Sequence, residues 1–471
     1  MDGNKVMTLS KKHRRTYGEH WTPVKVFQEF IFPKIKNELN NYLWVDLFAG
    51  EGNLILPILA SISKENRVEF FKEHLFLFDV QEHSINQAIL KAEKWGIPRT
   101  VAKQNIFKKD TLRDFPAFLL QREKPIYHIT NPPYLYLGYI AKHKETKKYL
   151  EYFQGKNKGY QDLYQVALIN DLRHQLEKMI YIIPSNFLFG HAVSNKIRKD
   201  ILYHYYIKKT IIFEKVIFDH TGTNVVVCFF ERKSEPKHEP QTFPGIKLND
   251  GGIQKRTYSL YPEDHYRAGN EFTTFVKQAK ALLPLKISFY LTKEEVQRNS
   301  GEKELTVIDA NAFKGKQYEK KSIFVNEKQY EKVKRNSLFL KTVDSGTKEG
   351  RAGLYEIEKV FNVDGILVTR ARYRTHPIQI FIEPQMSKDD QHLIKDYFNT
   401  MLEYFREKTD SEFMTTYKYS KSRYTRKYLG LKQARQLLET CPIRTLNEKE
   451  KKQLEKQLQK KQFVLINPYF F

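Results

Sequence analysis

Residues 127–134 read Tyr-His-Ile-Thr-Asn-Pro-Pro-Tyr, and this stretch decides the fold that we predict for the chain. An apolar, β-branched run ends here in an amide, two prolines and an aromatic ring. Because the prolines stiffen the backbone and cannot continue a central strand, a buried strand should end at Thr130. Open α/β sheets place their chemistry at the carboxyl ends of such strands, so residues 131–134 are candidate functional residues.

The residue types in this turn suit the binding of a planar NH₂ group. Pro132 and Pro133 have no amide hydrogen, so their carbonyl groups and the Asn131 side-chain oxygen form a rigid set of acceptors. Two N–H donors aligned on two acceptors take the nitrogen lone pair out of conjugation and direct it at an electrophile. Tyr134 would stack on a flat substrate. Taken alone, Asn-Pro-Pro-Tyr also fits a simple turn, so the surrounding sequence has to decide.

A second segment, residues 43–54, predicts a ligand-binding loop. A buried strand is followed by Asp46, and then by Gly50 and Gly52 ahead of a helix. The glycines remove side chains where the backbone must approach a ligand, and Asp46 can accept a hydrogen bond from an ammonium or hydroxyl group. The third glycine of the dinucleotide fingerprint is missing, which argues against NAD.

Two further acids follow predicted strands in the same way as Asp46. One predicted strand ends in Asp79, and Asp110 follows a third short strand. Because the carboxyl ends of parallel strands share one sheet edge, both acids should lie near Asp46 and Asn131, although each could also be an ordinary surface acid. The predicted fold class is therefore α/β, with a doubly wound, Rossmann-like domain.

The amino-terminal segment predicts the start of a helix. Thr22 is suited to cap a helix whose first residue is Pro23. The apolar residues that follow share one helical face; they are Val26, Phe27, Phe30 and Ile31. By itself this segment indicates only a capped helix.

The order of these segments resembles the gamma class of N6-adenine DNA methyltransferases of bacterial restriction-modification systems, which use S-adenosylmethionine (SAM). In that family a Gly-x-x-x-Thr-Pro segment precedes the cofactor loop, and residues 18–23 match it. Residues 131–134 match the family's Asp/Asn/Ser-Pro-Pro-aromatic signature. The resemblance extends over residues 14–232 and implies a SAM-dependent methyltransferase domain. In the cofactor loop, Phe48 and Glu51 depart from the commoner residues of the family.

The resemblance also implies a role for each matching residue. The catalytic residues would be Asn131, Pro132, Pro133 and Tyr134, of which Asn131 and the Pro132 carbonyl hold the adenine amino group. The cofactor-binding residues would be Thr22, Pro23, Asp46, Phe48, Ala49, Gly50, Gly52, Asp79, Asp110 and Asn131. Tyr134 would stack on a flipped-out adenine, and Phe218, by its position, on the other face of that base.

The length and composition of the chain limit the classes of protein to which it can belong. A chain of 471 residues predicts two domains, and a net charge of +25 favours nucleic acid as partner, although a Lys-rich composition alone produces part of that charge. Two distant cysteines, Cys228 and Cys441, fit a reducing compartment. We find neither a secretory signal nor an apolar run long enough to span a membrane, so the expected location is the cytoplasm, in a bacterial or phage setting.

The carboxyl-terminal half lacks a glycine-rich loop and is dense in Lys, Arg and Tyr. We expect a catalytic domain over residues 1–235 and a mixed α+β target-recognition domain over residues 246–471. Within the basic, Tyr-rich stretch 415–428, the residues predicted to contact DNA are Tyr417, Lys418, Lys421, Arg423 and Arg426. A solvated basic surface would have the same composition.

Several alternatives stay open. The Asn-Pro-Pro-Tyr chemistry also serves RNA adenine methyltransferases and, with a shorter chain, protein glutamine methyltransferases; charge does not separate RNA from DNA. A degenerate, non-catalytic nucleic-acid-binding protein is a further class. No metal-ligand spacing and no nuclease motif are evident, so a restriction endonuclease acting on the same double-stranded DNA site would be a separate chain. The target sequence cannot be read from the chain.

Overall fold

The computed structural model describes residues 22–190, 192–214, 224–249, 252–344, 350–370, 376–409 and 427–460. The chain divides into two compact units. The first comprises Met1–Ala268 with Thr416–Thr425, and the second comprises Gly269–Thr415 with Arg426–Phe471. The division near residue 268 lies beyond the 235–246 segment in which the sequence placed it.

The first unit is built on a nine-stranded sheet in the order β3-β2-β1-β4-β5-β7-β6-β8-β9. Its strands are β1 Leu43–Asp46, β2 Leu75–Asp79, β3 Ile106–Lys108, β4 Ile126–Thr130, β5 Lys178–Pro184, β6 Tyr205–Phe213, β7 Val225–Arg232, β8 Gln241–Asn249 and β9 Gly252–Leu260. The first five strands pair in parallel, and β7 runs antiparallel between β5 and β6. This arrangement confirms the doubly wound α/β prediction.

Two short helices precede β1, and the others of this unit lie between its strands. They are α1 Val24–Val26, α2 Phe32–Ile35, α3 Arg67–His74, α4 Glu82–Lys94, α5 Arg99–Asn105, α6 Leu137–Ile140, α7 Leu163–Arg173, α8 Asn186–Phe189 and α9 Ala192–His204. A π-helical turn, Phe27–Ile31, joins α1 to α2, and 3-10 segments occur at Leu39–Asn41, Leu56–Ser61, Lys64–Asn66, Ala117–Gln121, Lys144–Phe153, Gly155–Asn157 and Pro262–Asp264. Both faces of the central strands are covered, so every residue of β1 and β4 is buried.

Strands β8 and β9 explain why the first unit extends past the predicted boundary. Strand β8 pairs in parallel with β6, and β9 pairs antiparallel with β8, so the hairpin extends the catalytic sheet. The polar, proline-bearing segment near residue 236 is therefore a connection between two strands of one sheet. In strand β7, which lies inside the sheet, residues 225–230 are all buried.

Two local predictions about helices are wrong in detail. The first helix begins at Val24 with Pro23 at its N-cap, and the Thr22 side chain does not cap it. The segment after Gly52 is a 3-10 helix, Leu56–Ser61, with Pro57 in its first turn. The expected buried residues of the first helix are correct for Val26, Phe27 and Ile31, while Phe30 is only partly buried.

The second unit is mixed α+β, as predicted. Its strands are β10 Lys286–Phe289, β11 Leu291–Thr292, β12 Lys303–Lys314, β13 Gln317–Val325, β14 Leu338–Lys341, β15 Val343–Asp344, β16 Gly353–Glu356, β17 Gly365–Val368, β18 Ile378–Glu383 and β19 Lys427–Tyr428. They form four-stranded sheets in the orders β10-β18-β14-β16 and β11-β17-β12-β13, and a β15-β19 pair. Its helices are α10 Asn270–Gln278, α11 Lys293–Arg298, α12 Glu327–Lys334, α13 Ile357–Phe361, α14 Lys388–Thr409, α15 Leu431–Leu438 and α16 Glu448–Gln459.

One hydrophobic core of the second unit lies against the first of its two four-stranded sheets. Helices α14, α15 and α16 contribute buried residues that pack with strands β14 and β18. Helix α16 buries Leu454 and Leu458, which lie four residues apart on one face of the helix. Asn447 caps its first turn by accepting from the Glu450 N–H at 3.0 Å.

Candidate functional site

A cavity of about 560 Å³ lies at the carboxyl ends of the parallel strands, where the sequence predicted the site. Parallel strands bring their ends to one edge, so groups far apart in sequence share this cavity. The predicted residues that line it are Thr22, Asp46, Phe48, Ala49, Gly50, Asp79, Asp110, Asn131 and Pro133. Of the predicted residues that lie in the described ranges, Pro23, Gly52, Pro132 and Tyr134 are not among its lining residues.

The loop after β1 is held by the acid that ends β2. The Asp79 carboxylate accepts the Gly50 N–H and the Gln81 N–H, each at 2.8 Å. Gly50 has a φ of +53° and no atom within 4 Å of where a Cβ would lie, so its backbone can face a ligand. Burial raises the pKa of Asp79 above the ordinary value of an aspartate. The loop and the acid therefore form one preorganised wall of the cavity.

Gly52 serves packing instead of ligand contact. Its φ is +79°, and an added Cβ would lie 2.7 Å from the Leu56 side chain and 3.0 Å from that of Leu77. The glycine allows the loop to turn back onto the sheet. The structure therefore gives Gly52 a role in shaping the loop, and its role in cofactor binding stays a prediction.

Asp46 is a buried acid at the base of the cavity. Its Oδ1 accepts the Thr130 hydroxyl at 2.6 Å and the Phe48 N–H at 3.0 Å. Its Oδ2 has no hydrogen-bond donor within the described ranges. Burial raises the pKa of Asp46 to about 6, against the opposing effect of the hydrogen bonds from Thr130 and Phe48. A cationic ligand would find here a carboxylate that is ionised only above that pH.

The side chain of Asn131 is held from two sides. Its Nδ2 donates to the Thr22 hydroxyl at 3.0 Å, and the Tyr134 hydroxyl lies within hydrogen-bonding distance of its Oδ1. Thr22 thus positions the side-chain amide of Asn131 in the Asn-Pro-Pro-Tyr turn. The Thr22 hydroxyl makes this contact instead of the predicted helix cap. The amide oxygen is fixed in direction before any ligand binds.

Tyr134 is completely buried, which the sequence did not indicate. Its single hydroxyl proton can be donated to either the Ile182 carbonyl, at 2.7 Å, or Asn131 Oδ1, and burial raises its pKa well above that of a free tyrosine. The ring also lies edge-on to Tyr164. Stacking of Tyr134 on a substrate base stays a prediction, and any such contact requires the covered ring to become accessible.

The 3-10 segment Lys144–Phe153 forms a wall of the cavity that sequence reasoning missed. The residues that it contributes are Lys148, Tyr149, Glu151 and Tyr152. The Tyr152 hydroxyl donates to Asp110 Oδ2 at 2.6 Å, and Arg113 Nε lies 3.2 Å from the same oxygen. Burial raises the pKa of Tyr152 to about 12. The sequence of this segment, Lys-Glu-Thr-Lys-Lys-Tyr-Leu-Glu-Tyr-Phe, has no motif that marks it as part of a binding site.

Several predicted contact residues fall outside the described ranges. They are Phe218, Tyr417, Lys418, Lys421, Arg423 and Arg426. Across the residues that the structure does describe, no group of three or more His, Cys, Asp or Glu side chains could hold a metal ion. No helix in the described part of the chain is both long and apolar enough to cross a membrane.

Comparison with known proteins identifies a family that covers most of the chain. A sequence model described as N-6 DNA Methylase matches residues 6–307. No curated protein matches the chain.

Similar solved structures include a DrdV–DNA complex determined by cryo-electron microscopy, at 14% identity and a TM-score of 0.39 over 54% of this chain and 31% of that chain. A type I restriction-modification methyltransferase subunit from Streptococcus thermophilus is 19% identical, with a TM-score of 0.35 and 50% of each chain covered. The M protein of the type I restriction enzyme EcoKI is 12% identical, with a TM-score of 0.36 over 67% of this chain and 66% of that chain. The chain spans between 31% and 66% of the length of these structures.

Proposed function

Because the chain belongs to the N-6 DNA methylase family, we propose that it transfers a methyl group from SAM to the N6 amino group of an adenine in DNA. The observation that carries the proposal is that Asn131 lines the same cavity as Asp46 and Asp79. The group that would hold an amine and the groups that would hold the cofactor thus share one space.

The cavity fits SAM in size and in chemistry. Its volume of about 560 Å³ suits a ligand of nucleoside size. Asp46 presents one carboxylate oxygen without a donor in the described part of the chain, which suits the ammonium of the cofactor's amino acid. Asp79 is oriented by two backbone N–H groups and keeps lone pairs for ribose hydroxyls. Asp110 would accept from the amino group at the adenine edge.

The reaction needs an amine with an available lone pair and no protein nucleophile. Bound SAM supplies a methyl group whose carbon–sulfur bond breaks as the carbon–nitrogen bond forms, leaving a neutral thioether while the amine loses one proton to water. Asn131 Oδ1 and the Pro132 carbonyl would accept the two N–H groups of the adenine. The hydrogen bond from the Asn131 NH₂ group to Thr22 fixes the direction of Asn131 Oδ1. The Asn131 side chain therefore loses less conformational freedom when the base binds.

The substrate that we propose is double-stranded DNA, with the target adenine flipped out of the helix. Flipping costs a few kcal/mol, and stacking of about 1–3 kcal/mol for each aromatic contact offsets part of it. The proposed stacking residues are Tyr134 and Phe218. The net charge of +25 supports a polyanionic substrate.

The division of labour that we propose assigns cofactor binding to the first unit and target recognition to the second unit together with residues 416–425, which group with the first. Residues 415–428, with Tyr417, Lys418, Lys421, Arg423 and Arg426, would contact DNA. The protein would act in the cytoplasm of a bacterium or of a phage host, as the modification enzyme of a restriction-modification system, and a separately encoded endonuclease would cut the same site.

The experiment that tests the proposal is transfer of labelled methyl from SAM to duplex DNA, structured RNA and total protein in parallel, with the products identified by mass spectrometry. We expect N6-methyladenine in DNA alone. Label in RNA adenine or in protein glutamine would contradict the substrate, and no transfer together with no SAM binding would contradict the enzyme itself.

A further inference from the structure

A buried histidine connects the catalytic strand to the cofactor loop. His128 lies on β4, three residues before Asn131, and its side chain is 0% exposed. The Leu47 N–H, directly after Asp46, donates to His128 Nε2 at 3.1 Å. Since a backbone N–H can only donate, Nε2 must carry the lone pair and Nδ1 the proton.

The orientation of this ring is fixed by a buried acid on a third element. His128 Nδ1 lies 2.5 Å from Asp171 Oδ2, and Asp171, on α7, is 1% exposed. The same oxygen accepts the Tyr181 hydroxyl from β5 at 2.6 Å. A carboxylate accepts hydrogen bonds only, so Asp171 selects the tautomer in which Nε2 is free to accept from Leu47.

Leu47 is held at both of its backbone polar groups. Its carbonyl accepts the Thr111 hydroxyl at 2.8 Å, while its N–H donates to His128. Two residues beyond His128 on the same strand, Thr130 donates to Asp46 at 2.6 Å. Strand β4 therefore holds the start of the cofactor loop through two side chains, immediately before it ends in the Asn-Pro-Pro-Tyr turn.

We propose that His128 is a positioning residue for cofactor binding, which holds the loop after β1 in its binding geometry by accepting the Leu47 N–H. The proposal rests on the proposed function. Without that acceptor, a buried N–H loses its partner, and the loop must move to satisfy it. Such a movement displaces Asp46, Phe48 and Gly50 together, and it leaves Asn131 and its contact with Thr22 in place.

Two amide substitutions separate the two bonds of His128. In His128→Gln, the amide oxygen can take the place of Nε2 and accept from Leu47, while the hydrogen bond to Asp171 is removed. In His128→Asn, the shorter side chain can place its NH₂ near Asp171 but cannot reach Leu47. Both variants bury a polar amide in the same site, so their general effects on folding should be similar.

The measurements are the SAM dissociation constant by calorimetry and hydrogen–deuterium exchange of the peptide containing Leu47 in the cofactor-free protein. We expect His128→Asn to weaken SAM binding about tenfold and to speed exchange in that peptide, while His128→Gln stays within about threefold of wild type. At saturating SAM the methylation rate of His128→Asn should stay within about twofold of wild type. Equal losses in the two variants would overturn the proposal.

A second histidine provides the matched control. His74 is also buried, and its Nδ1 lies 2.8 Å from the Tyr42 carbonyl, away from the loop. His74→Asn should lower the melting temperature and leave SAM affinity unchanged. A loss of affinity as large as that of His128→Asn would show that any buried histidine acts in this way, and the proposal would be wrong.

If the His128 variants do not fold, a second pair tests the same contact. Asp171→Asn can donate to Nδ1 and so permits the tautomer whose Nε2–H opposes the Leu47 N–H, whereas Tyr181→Phe removes the other donor to Asp171. We expect weaker SAM binding only in Asp171→Asn. Failure of the wild-type protein to bind SAM would overturn the proposed function. SAM binding by wild type with equal affinities in Asp171→Asn and Tyr181→Phe would overturn the role of His128 alone.

Discussion

The side chain of Asn131 is held in one orientation before any substrate arrives. Thr22 accepts from its NH₂ group, so its oxygen is directed by the fold, and the same residue lines the cavity that contains Asp46 and Asp79. Preorganised acceptors of this kind act on the transition state more than on binding of the ground state, because they need no reorganisation during the reaction. The first residue-scale prediction follows from this arrangement.

Replacing Asn131 with alanine should reduce methyl transfer at least about a hundredfold while SAM still binds, since only the acceptor for the amine is removed. Single-turnover transfer to duplex DNA and calorimetry with SAM measure the two effects separately. Thr22→Val is the matched variant, because it removes the partner of the amide and keeps Asn131 itself, and we expect a smaller loss. Full activity in Asn131→Ala would contradict the proposed role.

The raised pKa of Asp46 predicts how SAM affinity depends on pH. Burial places this pKa at about 6 in the free protein, and a cationic ligand binds the ionised form. Below that pH the proton competes with the ligand, so the dissociation constant should rise by up to about tenfold for each pH unit lost. Above pH 6 the affinity should be nearly constant until the ammonium of the ligand itself begins to lose its proton, at about pH 8.

Calorimetry between pH 5 and pH 8 would measure this dependence, with Asp46→Asn as the control. The pKa of Asp79 is also raised by burial, so the control should weaken binding overall and flatten the profile without removing it. An unchanged slope in Asp46→Asn would assign the pH dependence to another group.

At the scale of elements, the two glycines of the cofactor loop have different roles. A Cβ at Gly50 would meet no atom within 4 Å and would point into open space, whereas a Cβ at Gly52 would overlap Leu56 and Leu77. Both glycines have positive φ, which costs an alanine about 1–2 kcal/mol in either position.

The free energy of unfolding, measured with urea, should therefore fall further in Gly52→Ala than in Gly50→Ala. The expected difference is about 1–3 kcal/mol, which is the cost of overpacking against Leu56 and Leu77. Gly50→Ala should instead weaken SAM binding more than Gly52→Ala, because Gly50 lines the cavity. Equal stability losses, or the reverse order of SAM affinities, would contradict this assignment of roles.

The elements that the sequence predicted are those whose signal is local. Strands β1, β2 and β4 combine a short apolar run with a polar residue at its carboxyl end, and parallel pairing then brings Asp46, Asp79 and Asn131 together. The family expected from these motifs is confirmed by the match over residues 6–307.

The elements that the sequence did not predict depend on contacts between distant segments. The β8–β9 hairpin joins the first sheet by pairing with β6, and no local pattern identifies its partner. In the wall formed by Lys144–Phe153, the Tyr152 hydroxyl donates to Asp110, which lies 42 residues earlier in the chain. No recognisable sequence motif predicts this contact. The role of His128 was equally hidden, since a histidine in an apolar strand looks like an ordinary core residue until Leu47 and Asp171 are placed around it.

For the whole molecule, charge and architecture suggest separate tasks for its parts. The described residues that line the cofactor cavity all belong to the first unit. Basic residues exceed acidic ones by 25 over the whole chain, and they release counterions when they neutralise phosphates. DNA binding should therefore depend steeply on salt, whereas SAM binding, which uses buried groups, should not.

The last prediction concerns the basic stretch 415–428. Replacing Lys418, Lys421, Arg423 and Arg426 with glutamine should weaken DNA binding and lower the slope of log affinity against log salt by about 0.9 for each phosphate that the variant no longer neutralises. SAM affinity should be unchanged. Fluorescence anisotropy with a labelled duplex, over a range of about 50 to 200 mM salt, measures the slope.

The matched control removes four exposed lysines of helix α16 and its end, which are Lys449, Lys452, Lys456 and Lys460. An equal fall in slope in both variants would mean that only total charge matters, and that stretch 415–428 makes no specific contact with DNA.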